Sequence, residues 1–401
     1  MPYEPLLEEF FDADRCLRCG QCLAVCPEIL TADPAALVAS LIDGAPCEEV
    51  LERCSSCMTC STACPRGCNP YGLVLYRWFR RGRESGYPVR ASLVMPLEPG
   101  NAWHNVMKKV TPPERLLLDE WSDLSRPELK GRALFAGCNL QILPYMSESR
   151  VFDGLPIFGS PDLCCGEVYY RMGAFDRVNA QARALEKVYA SLELDEIVTH
   201  CQACYNVLSN VLPARFGAHF GLKVSYFGDL VAARVLSGEL PVEGKLKGRK
   251  VTLQDPCHAK LLSSEFMDTP RKVLEHMGCE VLEMRHNREC SLCCGLGHGA
   301  PRDNPLDMTR GVVRRLMEAR ATGAEDLVVF CNSCDLLFSV GTQLTPFIMP
   351  VRHLNELISE ALGEDLPRRH LARARSMVFE LFFKGAPKVL SRKRFSTREP
   401  C

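Results

Sequence analysis

The sequence predicts an α+β protein of several domains, a mainly helical N-terminal domain followed by two repeated α/β domains. Three observations predict it: a doubled cysteine run within the first 70 residues, a different cysteine pattern that occurs twice further on, and short β-branched runs alternating with amphipathic stretches around that second pattern. A chain of 401 residues is also long for one core, so two or three domains are expected. The expected limits are 1–85 for the helical domain, 86–127 for a connector, 128–247 and 248–366 for the two repeats, and 367–401 for a tail.

The helical character of the first domain is read from the segment between its cysteine runs. There DPAALVASLIDG has helical rather than strand spacing, with Pro34 near a helix start and Gly44 at its end. The domain should close with the helix YGLVLYRWFRR, and a connector rich in Pro and Gly follows. In the first repeat, ALFAGC ends a strand-like run at Cys138, LCCG comes next, and EIVTHCQAC completes the unit. The second repeat reads VTLQDPC, LCCG and DLVVFCNSC in the same order. Amphipathic stretches such as FDRVNAQARALEKVYASL and LDMTRGVVRRLMEA alternate with these runs, which predicts mainly parallel strands with the cysteines beyond their carboxyl ends. From Pro367 onward ten Lys or Arg residues stand against Glu380 and Glu399 around MVFELFF. Such a tail is either a solvated helix packed on its own domain or a docking element for a partner or an anionic membrane surface.

A formal net charge of −1 gives no general attraction to nucleic acid. Acidic residues occupy MPYEPLLEEFFDADRC where a secretory signal would be basic and then apolar, so a cytoplasmic protein is expected, either free or peripheral on the cytoplasmic membrane face. No apolar run reaches the length of a membrane span. In a reducing compartment, 23 cysteines at regular spacings indicate metal or redox chemistry rather than disulfides.

Cys16, Cys19, Cys22 and Cys26 precede Pro27, and Cys54, Cys57, Cys60 and Cys64 precede Pro65. This is the C-x2-C-x2-C-x3-C-P run of two-cluster ferredoxins, in which three close thiolates wrap one [4Fe–4S] cubane and the remote fourth ligates the other. The expected ligand sets are therefore Cys16, Cys19, Cys22 and Cys64 for one cluster, and Cys54, Cys57, Cys60 and Cys26 for the second. Zinc would need only two separated pairs, and the doubled run disfavours it. Cys47 and Cys68 lie outside the pattern and are read as small buried thiols.

Each repeat supplies five cysteines in one order: Cys138, Cys164, Cys165, Cys201 and Cys204, then Cys257, Cys293, Cys294, Cys331 and Cys334. Five exceed what tetrahedral zinc or one cubane needs, and an adjacent pair suits neighbouring irons of a larger or opened cluster. Gly166 and Gly295 follow the pairs and permit close backbone approach. His258, His200 and His298 invite a catalytic reading but are taken as structural, and Cys290 as an inert buried thiol.

The repeated Cys, LCCG and C-x2-C pattern, with DPCH at 255–258 and NRECSLCCG at 287–295, resembles the CCG domains of heterodisulfide reductase catalytic subunits. Similar domains occur in iron–sulfur subunits of glycerol-3-phosphate, glycolate and lactate oxidising complexes. The whole resembles a fusion of a ferredoxin-like electron carrier with a two-CCG-domain catalytic subunit. The resemblance implies a noncubane [4Fe–4S] cluster in each five-cysteine set, and reduction of a disulfide or similar acceptor there. It also implies partner subunits in a redox complex, a flavoprotein or a membrane cytochrome b, since no flavin site is evident in this chain. The alternative function is a non-catalytic relay linking a flavoprotein to a quinone, cytochrome or other redox partner. One departure concerns spacing: 25 residues separate Cys138 from Cys164, against 35 between Cys257 and Cys293, so the first site could differ in its lining or its metal.

Overall fold

The computed structural model describes residues 3–299, 304–345 and 349–397. Through Ser85 the regular elements are all helical: Gln21–Ala24, Pro34–Ile42, Glu48–Arg53, Thr59–Thr62 and Pro70–Ser85, after a short 3-10 turn at Leu7–Glu9. Helix Pro34–Ile42 starts where the Asp33 carboxylate accepts the Ala36 N–H at 2.9 Å and Pro34 occupies the first turn. Helix Pro70–Ser85 buries Leu75, Trp78 and Phe79, and the Trp78 indole N–H donates to the Leu51 carbonyl at 3.0 Å. That bond fixes the helix beside the second cysteine run.

The stretch after Gly86 is ordered by burial of large side chains rather than left slack. Strand β1 (Tyr87–Pro88) leads to helices Ala102–Met107 and Pro112–Ser122, which bury Trp103 and Trp121. Thr111 and Glu114 form a capping box at the second of these.

Two four-stranded sheets follow. The first contains β2 (Lys130–Phe135), β3 (Ile157–Phe158), β4 (Glu193–Thr199) and β5 (Lys223–Tyr226) in the order β3-β2-β4-β5, all parallel. The second contains β6 (Lys250–Gln254), β7 (Glu280–Val281), β8 (Asp326–Val329) and β9 (Val351–His353) in the order β7-β6-β8-β9, again all parallel. The sequence repeat is thus a repeat of topology. In each sheet the strand order reverses between the two central strands, which opens a crevice beyond their carboxyl ends. The central strands are apolar because both faces are covered: Leu134, Val198, Leu253 and Val328 are fully buried.

The amphipathic stretches form helices Phe175–Ala190 and Pro305–Arg320. Their buried stripes have identical spacing, Val178, Ala182 and Leu185 in one and Val312, Leu316 and Ala319 in the other. The repeats differ where their cysteine spacing differs. Helix Ser264–His276 lies between Cys257 and Cys293, whereas the 3-10 turns Pro144–Glu148 and Arg150–Phe152 fill the shorter interval of the first repeat.

The basic tail packs on its own chain. Helix His370–Val378 lies against helix Asn332–Leu344 and buries Ala374 and Met377. Arg373 and Arg369 both pair with the buried Glu114, and Glu380 pairs with Lys109 at 2.7 Å. Finally β10 (Arg394–Phe395) pairs antiparallel with β1. The N-terminal domain joins the first repeat through aromatic stacking, Phe10 on Phe175 with ring centroids 4.3 Å apart and Phe79 on Phe175 at 5.1 Å. Among the described residues no helix is long and apolar enough to cross a membrane.

Candidate functional site

Both ferredoxin-type runs adopt the same unusual backbone. Arg18 and Ser56 occupy equivalent positions with φ of 51° and 50°, followed two residues later by Gly20 at 75° and Met58 at 65°. Left-handed conformations cost a non-glycine residue about 1–3 kcal/mol, so such strain at matched positions marks a loop shaped around something. Each loop then enters a one-turn helix, Gln21–Ala24 or Thr59–Thr62. Cys22 lies beside Cys64, Cys16 and Cys19, and burial pushes its thiol up to about 12. Cys54 lies beside Cys57 and Cys26, and Cys60 beside both. Cys16, Cys19, Cys22, Cys60 and Cys64 line one apolar cavity with Leu23 and Leu41, so the two groups adjoin. Burial acts to raise Cys64, yet the N–H groups of Cys68, Arg66 and Gly67 hold it below the usual thiol range. Cys47 and Cys68 are buried.

In the repeats, Cys138, Cys201, Cys257 and Cys331 follow β2, β4, β6 and β8, and Gly166 and Gly295 turn the chain after the cysteine pairs with φ of 87° and 111°. The thiols of the first set adjoin in sequence, Cys138 beside Cys164, Cys164 beside Cys165, Cys165 beside Cys204, and Cys204 beside Cys201. In the second set Cys293 touches Cys294, Cys294 touches Cys334, and Cys334 touches Cys331, with Cys257 close to Cys293 and Cys294. The two sets meet where Cys201 touches Cys331. Hydrogen bonds from neighbouring thiols favour the thiolate at Cys164, Cys201 and Cys294, and the partners that share those protons are pushed up. Among the described residues no three His, Cys, Asp or Glu side chains converge on a single metal ion.

The second set is bound to the second ferredoxin run by side chains that spacing does not reveal. Lys260 is buried, and its ammonium donates to the carbonyls of Cys57 at 2.9 Å and Ser291 at 2.5 Å and to Thr59 Oγ1 at 2.9 Å. Arg171 is 3% exposed and donates to the Ser56 carbonyl at 3.1 Å and to Cys257 Sγ at 3.2 Å, while pairing with Glu167. Gly297 sits so close to the Ser55 carbonyl that a Cβ there would lie 2.0 Å from it.

The three histidines are all held by neighbours. His258 joins the Asn206 amide at 2.9 Å and Glu167 at 2.9 Å, and His200 lies between the amides of Asn332 and Asn355 at 2.8 and 3.0 Å. Burial works to lower His298, but Cys293 and Glu28 push it up to about 9. Cys290 departs from expectation: it is exposed, because the 3-10 turn Arg288–Cys290 carries it to the surface before the chain turns inward at Ser291.

Whether this chain suits iron–sulfur clusters is tested by its buried charges. Lys260 makes no ion pair among the described residues, and an isolated buried ammonium costs several kcal/mol unless an anion lies near. Thiolate-ligated clusters held by Cys57 on one side and Cys293 on the other would supply that anion. The donor sets, the strained loops and this unbalanced charge all fit.

An open cavity of about 630 Å³ runs past the site, lined by Met58, Tyr205, Asn206 and His258, which follow Cys57, Cys204 and Cys257 closely in sequence. Tyr71, Tyr170 and Arg215 complete much of its wall.

These features define a protein in which a ferredoxin-type double run is joined to two cysteine-rich α/β domains. The family model for the CCG cysteine-rich domain matches residues 154–209 and 251–339. The chain is homologous to a subunit of the Dihydromethanophenazine:CoB--CoM heterodisulfide reductase of Methanosarcina barkeri, with 25% identity over 88% of this chain and 95% of that one. A probable membrane-anchored ferredoxin of Chromohalobacter salexigens is 23% identical over 88% of this chain and 60% of its own length. The EtfAB:quinone oxidoreductase of Syntrophomonas wolfei is 27% identical over 35% of this chain and 19% of its own. The chain is an iron–sulfur electron-transfer protein related to oxidoreductase subunits.

Proposed function

We propose that this chain is a heterodisulfide reductase-like subunit that reduces a disulfide or similar two-electron acceptor at its CCG domains. Cys16, Cys19, Cys22 and Cys64 hold one cubane, and Cys54, Cys57, Cys60 and Cys26 the other. Cys138, Cys164, Cys165, Cys201 and Cys204 hold a third cluster, and Cys257, Cys293, Cys294, Cys331 and Cys334 a fourth, both of the noncubane type. Bound there, the clusters supply single-electron steps and irons able to take up sulfur, so no side-chain nucleophile is needed. The observation that carries this reading is the contact between Cys201 and Cys331, which sets the two five-cysteine groups face to face.

The chain's own residues do the rest. Asn206 and His258 hold polar groups at the wall of the open cavity, where a small acceptor reaches the domain boundary. Buried Tyr226 lies against Cys201 and Cys331, donates to the Phe330 carbonyl at 3.0 Å and packs on Tyr205 and Phe266 of the cavity wall. Partner proteins deliver or remove electrons. Exposed Phe379 and Phe383, stacked 5.7 Å apart beside Lys384 and Lys109, form the docking surface for such a partner.

Replacing Cys293 and Cys294 with Ser tests the assignment. Acceptor reduction should be lost while a low-potential dye still reduces the ferredoxin-type clusters. Turnover at the native rate in a variant lacking the second CCG cluster would leave the chain a relay between a flavoprotein and another redox partner.

A further inference from the structure

Three bridges connect the N-terminal domain to the second five-cysteine set. Glu28, two residues after Cys26, meets His298 Nε2 at 3.3 Å and Arg314 at 2.9 Å, and His298 in turn bonds Cys293. Ser56, before Cys57, accepts from Arg171, which also donates to Cys257 Sγ. Cys57 itself accepts from Lys260, whose third bond reaches Ser291, two residues before Cys293. Two of the three bridges are buried cations, Arg171 from the first repeat and Lys260 from the second.

Arg171 is partly balanced by Glu167, at 2.5 Å, whereas among the described residues Lys260 bonds neutral oxygens. A fixed positive charge in a poorly solvated seam stabilises whichever neighbour gains an electron. Arg171 donates to Cys257 Sγ and Lys260 to the Ser291 carbonyl, two residues before Cys293, whereas the side-chain hydrogen bonds of Cys138, Cys164, Cys165 and Cys204 run to other thiols of the first set and Cys201 reaches Cys204 and Cys331.

We propose that Arg171 and Lys260 are electrostatic positioning residues that raise the reduction potential of the centre held by Cys257, Cys293, Cys294, Cys331 and Cys334, making it the point where electrons from the ferredoxin-type clusters enter the CCG pair. The assignment rests on the proposed function above, since it requires a cluster in that set. The redox step is one electron added to that centre from dithionite, with no bond made or broken.

The test is a dithionite titration of the full chain, reconstituted anaerobically and followed by electron paramagnetic resonance, with each signal assigned using Cys164→Ser and Cys293→Ser proteins. In the native protein the second-set centre should titrate above the first-set centre. Lys260→Met and Arg171→Gln should each lower the second-set midpoint by a tenfold or greater change in its equilibrium constant, about 59 mV for one electron. The first-set midpoint should stay in place, and Lys260→Arg and Arg171→Lys should recover most of the loss.

An unchanged second-set midpoint in both neutral variants at full iron content would overturn the proposal, as would an equal shift of the first-set centre. Should Arg171→Gln lose iron, Lys260→Met carries the measurement, and Glu167→Gln adds a test of opposite sign by raising the midpoint. Iron loss in the neutral and charge-preserving variants alike would also overturn it, because it would reduce both cations to packing elements. A native protein without any second-set signal would instead refute the functional reading, and its iron count distinguishes the two failures.

Discussion

Gly297 illustrates how closely single residues set the junction between domains. A Cβ at this position would lie 2.0 Å from the Ser55 carbonyl, and that carbonyl belongs to a loop already strained at Ser56. The Gly297→Ala protein is expected to lose about 1–3 kcal/mol of stability through overpacking. It should also transfer electrons more slowly from the ferredoxin-type clusters to the CCG centres, as rapid-freeze paramagnetic resonance would record. At this scale the sequence discloses residue types but few partnerships. The cysteines declare themselves by spacing, and the glycines after each pair by the turns they permit. Arg171, Glu167 and Lys260 give no such signal, because a buried ion on a helix or turn looks like any solvated charge until a distant segment covers it. Cys290 shows the converse, a thiol beside a motif that local turn geometry turns outward.

Among the elements, the C-terminal helix is held by ion pairs that the sequence could not place. Glu114 is 1% exposed and receives Thr111, Arg369 and Arg373. Although burial acts to raise it, those hydrogen bonds and charges hold its carboxyl below the usual range. A depressed folded value contributes stability that is present above the unfolded value of about 4.3 and lost as pH falls through the folded one. Glu114→Gln should therefore destabilise the protein at neutral pH by about 3–5 kcal/mol, since it leaves Arg373 buried without its anion. The gap in urea midpoint between the two proteins should close as pH is lowered from about 6 to about 3. Composition alone left open whether the tail was a solvated helix packed on its own domain or a docking element, and the structure shows it packed along one face while Phe379 and Phe383 remain 46% and 67% exposed. Replacing both with Ser should leave the cluster spectrum unchanged and weaken recovery of partner subunits. Equal recovery from the double variant would remove this surface from the interface. Parallel sheets were legible because β-branched runs alternate with amphipathic stretches. The shorter first interval was legible as a count, but not as two 3-10 turns in place of a 13-residue helix.

For the whole molecule, the repeated topology turns two copies of one cysteine pattern into a single facing pair. Each strand order reverses at its centre, so the cysteines after the central strands gather at one end of each sheet. Only the packing of one repeat against the other brings Cys201 to Cys331. Sequence periodicity carries the first of these facts and is silent on the second, because contacts between residues 130 positions apart depend on how whole sheets dock. The central claim is that both facing groups hold clusters, and metal analysis of the anaerobically reconstituted full chain tests it most directly. The account predicts about sixteen irons per chain, falling by about four when Cys293 and Cys294 are both replaced with Ser. About eight irons in the fully reconstituted native protein, unaltered by that replacement, would contradict it.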